Sequence, residues 1–350
     1  MKPVTLSPGV GDDRPTATLY YGQDVRETLR TLPEASVHTV CTSPPYWGLR
    51  DYGAKGQIGL EPTPEDFVAA LVDVFREVKR VLRTDGTLWV NLGDSYCGGG
   101  RAGKNPEYQA RHTMFGKEVD GSATGQFGVP MPVPDGLKPK DLVGIPWRVA
   151  FALQADGWYL RQDVIWHKPN PMPESVTDRC TKAHEYLFLF AHPDSGGRYY
   201  YDNEAIKEAT TTAPANRDRT GEGYQAAYPH GDRFSKGERV WGADNKKNKR
   251  SVWSVPTAPY QGAHFATWPP ELVRPMVLAG CPVGGTVLDP FSGSATTGMV
   301  ALQEGRNYIG TDLNSDYLSL AEARIREERP PDNATEESDD GVLGMFGSDE

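Results

Sequence analysis

Val287-Leu288-Asp289-Pro290-Phe291-Ser292-Gly293-Ser294-Ala295-Thr296-Thr297-Gly298 decides the fold. An apolar run of strand character reaches an acid, turns at a proline and a glycine, and takes on helical composition. Glycine at 293 lets the backbone approach a ligand closely, and the helix that follows begins with unpaired N–H groups. One strand further on, Tyr308-Ile309-Gly310-Thr311-Asp312 places a second carboxylate at a strand end, suited to the two hydroxyls of a ribose. The stretch holds neither the G-x-G-x-x-G of a dinucleotide fold nor the Gly-Lys-Ser/Thr of a phosphate loop.

Outward from this stretch, strand and helix alternate. Strands are predicted at 18–21, 37–42, 87–92, 159–166, 185–191, 286–288 and 307–310. Helices are predicted at 25–32, 63–82, 145–156, 270–278, 295–303 and 315–328, the second closed by Asp85-Gly86. This order predicts an α/β fold with a doubly wound, mostly parallel Rossmann-like sheet. Two polar stretches interrupt it, one from Cys97 to about Lys140 and one over 193–250.

The second motif lies early in the chain, at Thr42-Ser43-Pro44-Pro45-Tyr46-Trp47. It follows a β-rich run, Val37-His38-Thr39-Val40-Cys41, so it sits where ligands bind in open α/β sheets. An exocyclic amino nitrogen is a poor nucleophile because its lone pair is delocalised into the ring. The Ser43 side chain and the Pro44 carbonyl can accept its hydrogens, in a turn stiffened by Pro44 and Pro45. Tyr46 offers a face on which a planar base can stack.

In this order, the two motifs resemble those of the S-adenosylmethionine-dependent DNA amino-methyltransferases, specifically the permuted group in which the catalytic motif precedes the cofactor motif. The resemblance covers about residues 18–192 and 251–328. It implies S-adenosylmethionine as cofactor, with Asp289 toward its methionine amine and Asp312 toward its ribose. It extends cofactor contact to Phe291, Gly293, Ser294, Thr296, Thr297 and Leu313. Ala295 stands where the family usually has a second glycine. His264-Phe265-Ala266-Thr267 looks like the segment that caps the methionine end. Tyr21-Gly22-Gln23-Asp24 looks like the family's segment after its first strand, and implies that Asp24 accepts from the adenine amino group. Ser-Pro-Pro-Tyr is more common in cytosine-N4 enzymes and Asp-Pro-Pro-Tyr in adenine-N6 enzymes. Cytosine is therefore favoured, with adenine N6 as the alternative and RNA or a protein amide behind them.

The resemblance also divides the chain. With the composition of the termini, the division is a flexible N-terminus (1–17), a catalytic half (18–192), a DNA-recognition insert (193–250), a cofactor half (251–329) and an acidic disordered tail (330–350). Lys168 and Arg179 lie in family-like segments and either contact DNA or order the catalytic loop. The net charge of −10 is carried mostly by the tail, which has seven acids and no base. Residues 233–250 are locally basic and supply Arg239, Lys246, Lys247, Lys249 and Arg250 for phosphate contact. The implied partners are double-stranded DNA and a cognate restriction endonuclease; monomer or dimer stays open. Four scattered cysteines and the lack of a long apolar run predict a cytoplasmic enzyme with no disulfide framework, metal site or membrane span.

Overall fold

The structure, a computed structural model, describes residues 2–7, 14–48, 56–97, 133–174, 176–209, 246–257 and 268–327. In chain order the strands are β1 (Val4–Leu6), β2 (Ala17–Tyr21), β3 (Val37–Thr42), β4 (Leu82–Leu92), β5 (Tyr159–His167), β6 (His184–Ala191), β7 (Glu208–Ala209), β8 (Lys246–Lys247), β9 (Val252–Ser254), β10 (Thr286–Asp289) and β11 (Asn307–Asp312). The α-helices are α1 (Val25–Thr31), α2 (Pro64–Val81), α3 (Ile145–Ala155), α4 (Pro270–Gly280), α5 (Thr296–Gln303) and α6 (Tyr317–Glu327).

Helix α2 shows how local sequence builds these elements. Thr63 caps it by accepting from the Asp66 N–H at 3.1 Å, and Pro64 fills the first turn. Glu65 and Asp66 meet the positive end of the helix dipole. Phe67, Leu71, Val74, Phe75, Val78 and Val81 recur at three- and four-residue spacing, and all are buried. The chain then passes directly into β4 at Leu82. The break expected at Asp85-Gly86 is absent, because those residues continue the strand.

Nine strands form one sheet in the order β1-β2-β11-β10-β3-β4-β6-β5-β9. The run from β2 to β4 is parallel, while β6 is antiparallel to both its neighbours. Side chains alternate between the faces of the sheet. Val40, Leu88, Phe188 and Leu288 join one core with α1, α2 and α3. Their neighbours Cys41, Trp89, Leu189 and Val287 join the other core with α4, α5 and α6. Burial on both faces explains why the central strands are almost continuously apolar.

This winding positions the site. From β10 the chain crosses through α5 to β11 on one side, and from β3 through α2 to β4 on the other. The direction of winding therefore reverses between β10 and β3, and a crevice opens outside their carboxyl ends.

Two stretches differ from their sequence reading. The N-terminal segment expected to be flexible contains β1, which pairs antiparallel with β2 and packs Val4 and Leu6 against the second core. The first residues of the expected insert, from 193, stay against the sheet. Tyr199 and Tyr201 pack on the same core, and the Tyr200 N–H donates to the Asp85 carbonyl at 2.8 Å. β7 pairs antiparallel with β8, and residues 210–245 between them in sequence lie outside the described residues. Most of the expected insert, with Arg239, lies outside the described residues, as do His264, Phe265, Ala266, Thr267 and the acidic tail. No helix among the described residues is long and apolar enough to cross a membrane.

Candidate active site

The early and late motifs meet. Thr42, the last residue of β3, donates from Oγ1 to Asp289 Oδ1 at 2.7 Å, and Asp289 is the last residue of β10. This bond is buried and joins positions 247 residues apart. Ser43-Pro44-Pro45-Tyr46 and Pro290-Phe291-Ser292-Gly293-Ser294 thus leave neighbouring strand ends at the reversal of winding.

On the β10 side the loop is tied down by hydroxyls and amides. Gly293 adopts a positive φ of 51°, which fits a residue without Cβ. Its N–H donates to Asp312 Oδ2 at 2.9 Å, and the Asn314 N–H donates to Asp312 Oδ1 at 2.8 Å. Tyr21 donates to the Gly293 carbonyl at 2.8 Å, and the Thr311 hydroxyl donates to the Pro290 carbonyl at 2.7 Å. Asp289 accepts from Thr42, from the Thr297 hydroxyl at 2.7 Å and from the Phe291 N–H at 3.1 Å. Burial pushes both Asp289 and Asp312 up to about 6. The hydroxyl and amide donors counter that rise, and no basic group contributes to either shift. A buried and a half-buried acid with no cation beside them among the described residues suit a positively charged ligand.

Several expected ligand contacts are already engaged within the protein. The Ser294 and Thr296 hydroxyls both accept from Arg324 at 2.9 Å, and the Thr297 hydroxyl is spent on Asp289. Asp24 caps α1, accepting the Arg26 N–H at 2.8 Å and pairing with the Arg26 guanidinium at 2.6 Å. That guanidinium holds the Asp24 carboxyl below its ordinary value. Asp24 lines a charged cleft of about 520 Å³ with Arg30, Arg76 and Glu77. Phe291 packs against the first core, and Leu313 is half-buried beside Asp312.

On the β3 side Pro44 is buried, while Ser43, Pro45 and Tyr46 are half-buried. Tyr46 donates to Glu185 Oε2 at 2.7 Å and accepts from Asn91 Nδ2 at 2.9 Å. Asn91 Nδ2 also donates to Glu185 Oε2 at 2.8 Å, and Lys168 pairs with Glu185 Oε1. Burial and the Glu185 charge push the Tyr46 phenol well above its ordinary value, so it stays neutral. Asn91 Oδ1 is buried with no hydrogen-bond partner among the described residues. Glu185 and Asn91 were missed in the sequence. Each is a polar residue near the site end of an otherwise apolar strand, and that is the signal that marks them.

The expected DNA contacts are largely paired. Lys168 is committed to Glu185 and lies 4.3 Å from the Trp166 ring centroid. Arg179 pairs with Glu174 at 3.0 Å and stacks over Tyr96 at 4.0 Å. Glu208 takes Arg250 at 2.6 Å and Lys247 at 3.7 Å, Lys246 is in β8, and Lys249 lies over Trp253 at 5.0 Å. The basic cluster is therefore partly neutralised at the β7–β8 pair.

A family model described as DNA methylase, for N6 and N4 enzymes, matches residues 37–323. The chain belongs to the S-adenosylmethionine-dependent DNA amino-methyltransferases. Its similarity to other members runs nearly end to end. It is 46% identical to Type II methyltransferase M.Cfr9I of Citrobacter freundii, over 89% of this chain and 88% of that one. It is also 46% identical to Type II methyltransferase M.SmaI of Serratia marcescens, over 87% of this chain and 90% of that one. A solved structure titled PvuII DNA methyltransferase (cytosine-N4-specific) superimposes with a TM-score of 0.57 at 18% identity, over 88% and 86% of the two chains, and so shares the fold. In this methyltransferase the buried Asp289, the half-buried Asp312 and the glycine bend fit S-adenosylmethionine.

Proposed function

We propose that the chain methylates N4 of a cytosine flipped out of duplex DNA. The observation that carries the reading is the Thr42–Asp289 hydrogen bond, which joins the Ser-Pro-Pro-Tyr turn to the cofactor bend. When bound, S-adenosylmethionine supplies an activated methyl group on a sulfonium, with its own leaving group. The protein contributes orientation and charge placement. The Ser43 hydroxyl and the Pro44 carbonyl accept the two amino hydrogens and turn the nitrogen lone pair away from the ring. Tyr46 would stack on the base, and Asp312 would hold the ribose of the cofactor. A neutral hydroxyl at position 43, where a carboxylate would pull harder on the proton of an adenine amine, favours cytosine.

The relatives are named Type II methyltransferases, and we carry that setting to this chain. It would then mark host DNA against a cognate restriction endonuclease. Two measurements test the reading. Labelled methyl from S-adenosylmethionine should appear in duplex DNA and not in RNA or protein. Modification-sensitive sequencing of DNA from cells expressing the chain should show N4-methylcytosine within one sequence motif. N6-methyladenine in its place would overturn the choice of base and leave the transfer standing.

A further inference from the structure

Glu185 makes contacts that methyl transfer does not itself demand. Its Oε2 receives both the Tyr46 hydroxyl and the Asn91 amide, while its Oε1 holds the Lys168 ammonium. Four elements converge here: the turn after β3, the end of β4, the segment following β5 and the start of β6. A carboxylate suits the position because all three neighbours are donors and only an ionised acid accepts on both oxygens. Lys168 balances the charge of the half-buried carboxylate.

The Tyr46 ring is fixed from a second direction. A Cβ at Gly93 would fall 2.5 Å from Tyr46 Cε2, so the ring lies directly on the Gly93 backbone and that contact is covered. Held at its hydroxyl by Glu185 and against Gly93, the ring can neither swing about its side-chain torsions nor tilt off the backbone.

We propose that Glu185, supported by Asn91 and Lys168, is a positioning residue that fixes the Tyr46 ring plane for stacking of the flipped base. The proposal rests on the assignment of Tyr46 to the base. It gives Lys168 the work of charge balance within the protein in place of contact with DNA phosphate.

The test is a mutant cycle on the full-length enzyme, reading single-turnover methyl transfer to duplex DNA together with S-adenosylmethionine affinity by calorimetry. The wild type is measured first, and its failure to methylate DNA strikes the function proposed above, leaving the cycle without a reference rate. Given an active wild type, Glu185→Ala should slow transfer by about 10- to 100-fold, since loss of orientation at a reacting centre has effects of that size. Cofactor affinity should stay within about twofold of wild type, as expected for a residue that makes no cofactor contact. Tyr46→Phe, which keeps the ring and removes only the tether, should produce a loss of the same kind. Because both changes cut one connection, the double variant should be no slower than Glu185→Ala. Glu185→Gln keeps an acceptor for Tyr46 but turns an NH₂ toward Lys168, and should fall between wild type and Glu185→Ala. Wild-type rates in Tyr46→Phe, or losses that multiply in the double variant, would overturn the proposal. If Glu185→Ala does not fold, Tyr46→Phe and Glu185→Gln decide the matter on the same criteria.

Discussion

On the β10 side of the crevice Asp289 is buried and Asp312 half-buried, with no basic partner among the described residues, whereas on the β3 side Glu185 is paired with Lys168. The difference separates a ligand site from a support. An acid compensated within the protein has its charge spent before any ligand arrives. An uncompensated one is left partly protonated, and a cation that enters is attracted to it and favours its ionised form. The halves also differ in what holds them. Hydroxyls and backbone amides fix the glycine bend, while the Glu185–Lys168 ion pair and the Asn91 amide brace the aromatic residue of the proline turn.

The sharpest way to break this comparison is to strip the catalytic turn. Ser43→Ala and Tyr46→Ala should each cut turnover by about 100-fold or more while leaving cofactor affinity near wild type, as checked by steady-state kinetics and calorimetry. Unchanged turnover in both would remove the catalytic assignment. Asp312→Asn should act in the opposite sense. It should weaken S-adenosylmethionine binding by roughly 10- to 100-fold, the worth of about 1.5–3 kcal/mol for a hydrogen bond to a charged group. Its rate at saturating cofactor should stay within a few-fold of wild type.

Acidity sharpens the contrast further. Both cofactor-side carboxyls rise from 3.8 to about 6, and the ionised form is the one that a cationic ligand prefers. Affinity for S-adenosylmethionine should therefore fall as pH drops through about 6, by up to tenfold per unit for each titrating group. In the ligand-free protein the sign is reversed. Folding raises these values, so the stability they contribute is present below the unfolded value and is lost as pH rises from 3.8 toward about 6. A flat binding profile from pH 5 to 8 would show that neither acid meets the cofactor. The smallest effect is expected at Ala295, which begins α5 with a left-handed φ of 58°. Ala295→Gly should relieve about 1 kcal/mol of backbone strain, set against the greater freedom of glycine in the unfolded chain. A rise of no more than a few degrees in Tm is expected.

Much of this was legible in the sequence because it rests on local chemistry. The apolar run into Asp289, the turn at Gly293 and the proline turn after Thr42 each declare a strand end. The parallel order followed from the alternation of strand and helix. What escaped was set by long-range pairing. Val4–Leu6 is too short to signal a strand, and it becomes one only because β2 offers an open edge. The antiparallel course of β6 has no local mark, since its buried residues are as apolar as those of a parallel strand. Tyr199 and Tyr201 lie in a polar stretch and join the core only through contacts distant in sequence. Lys168 stayed open between contacting DNA and ordering the catalytic loop because its partner, Glu185, lies 17 residues away on β6.

The junction of β2 with β11 has a consequence for biosynthesis. Thr16 donates its N–H to the Asn307 side chain across 291 residues, and β2 finds its parallel neighbour only there. On the ribosome, β3 and β4 emerge together and can pair at once, while the edge of β2 waits until nearly the whole polypeptide has been made. The pocket proposed for the methyl donor draws on β10 and β11, the last strands to be synthesised. A nascent chain stalled before residue 286 should retain no S-adenosylmethionine, so incomplete copies of the enzyme would not compete for the donor in the cell.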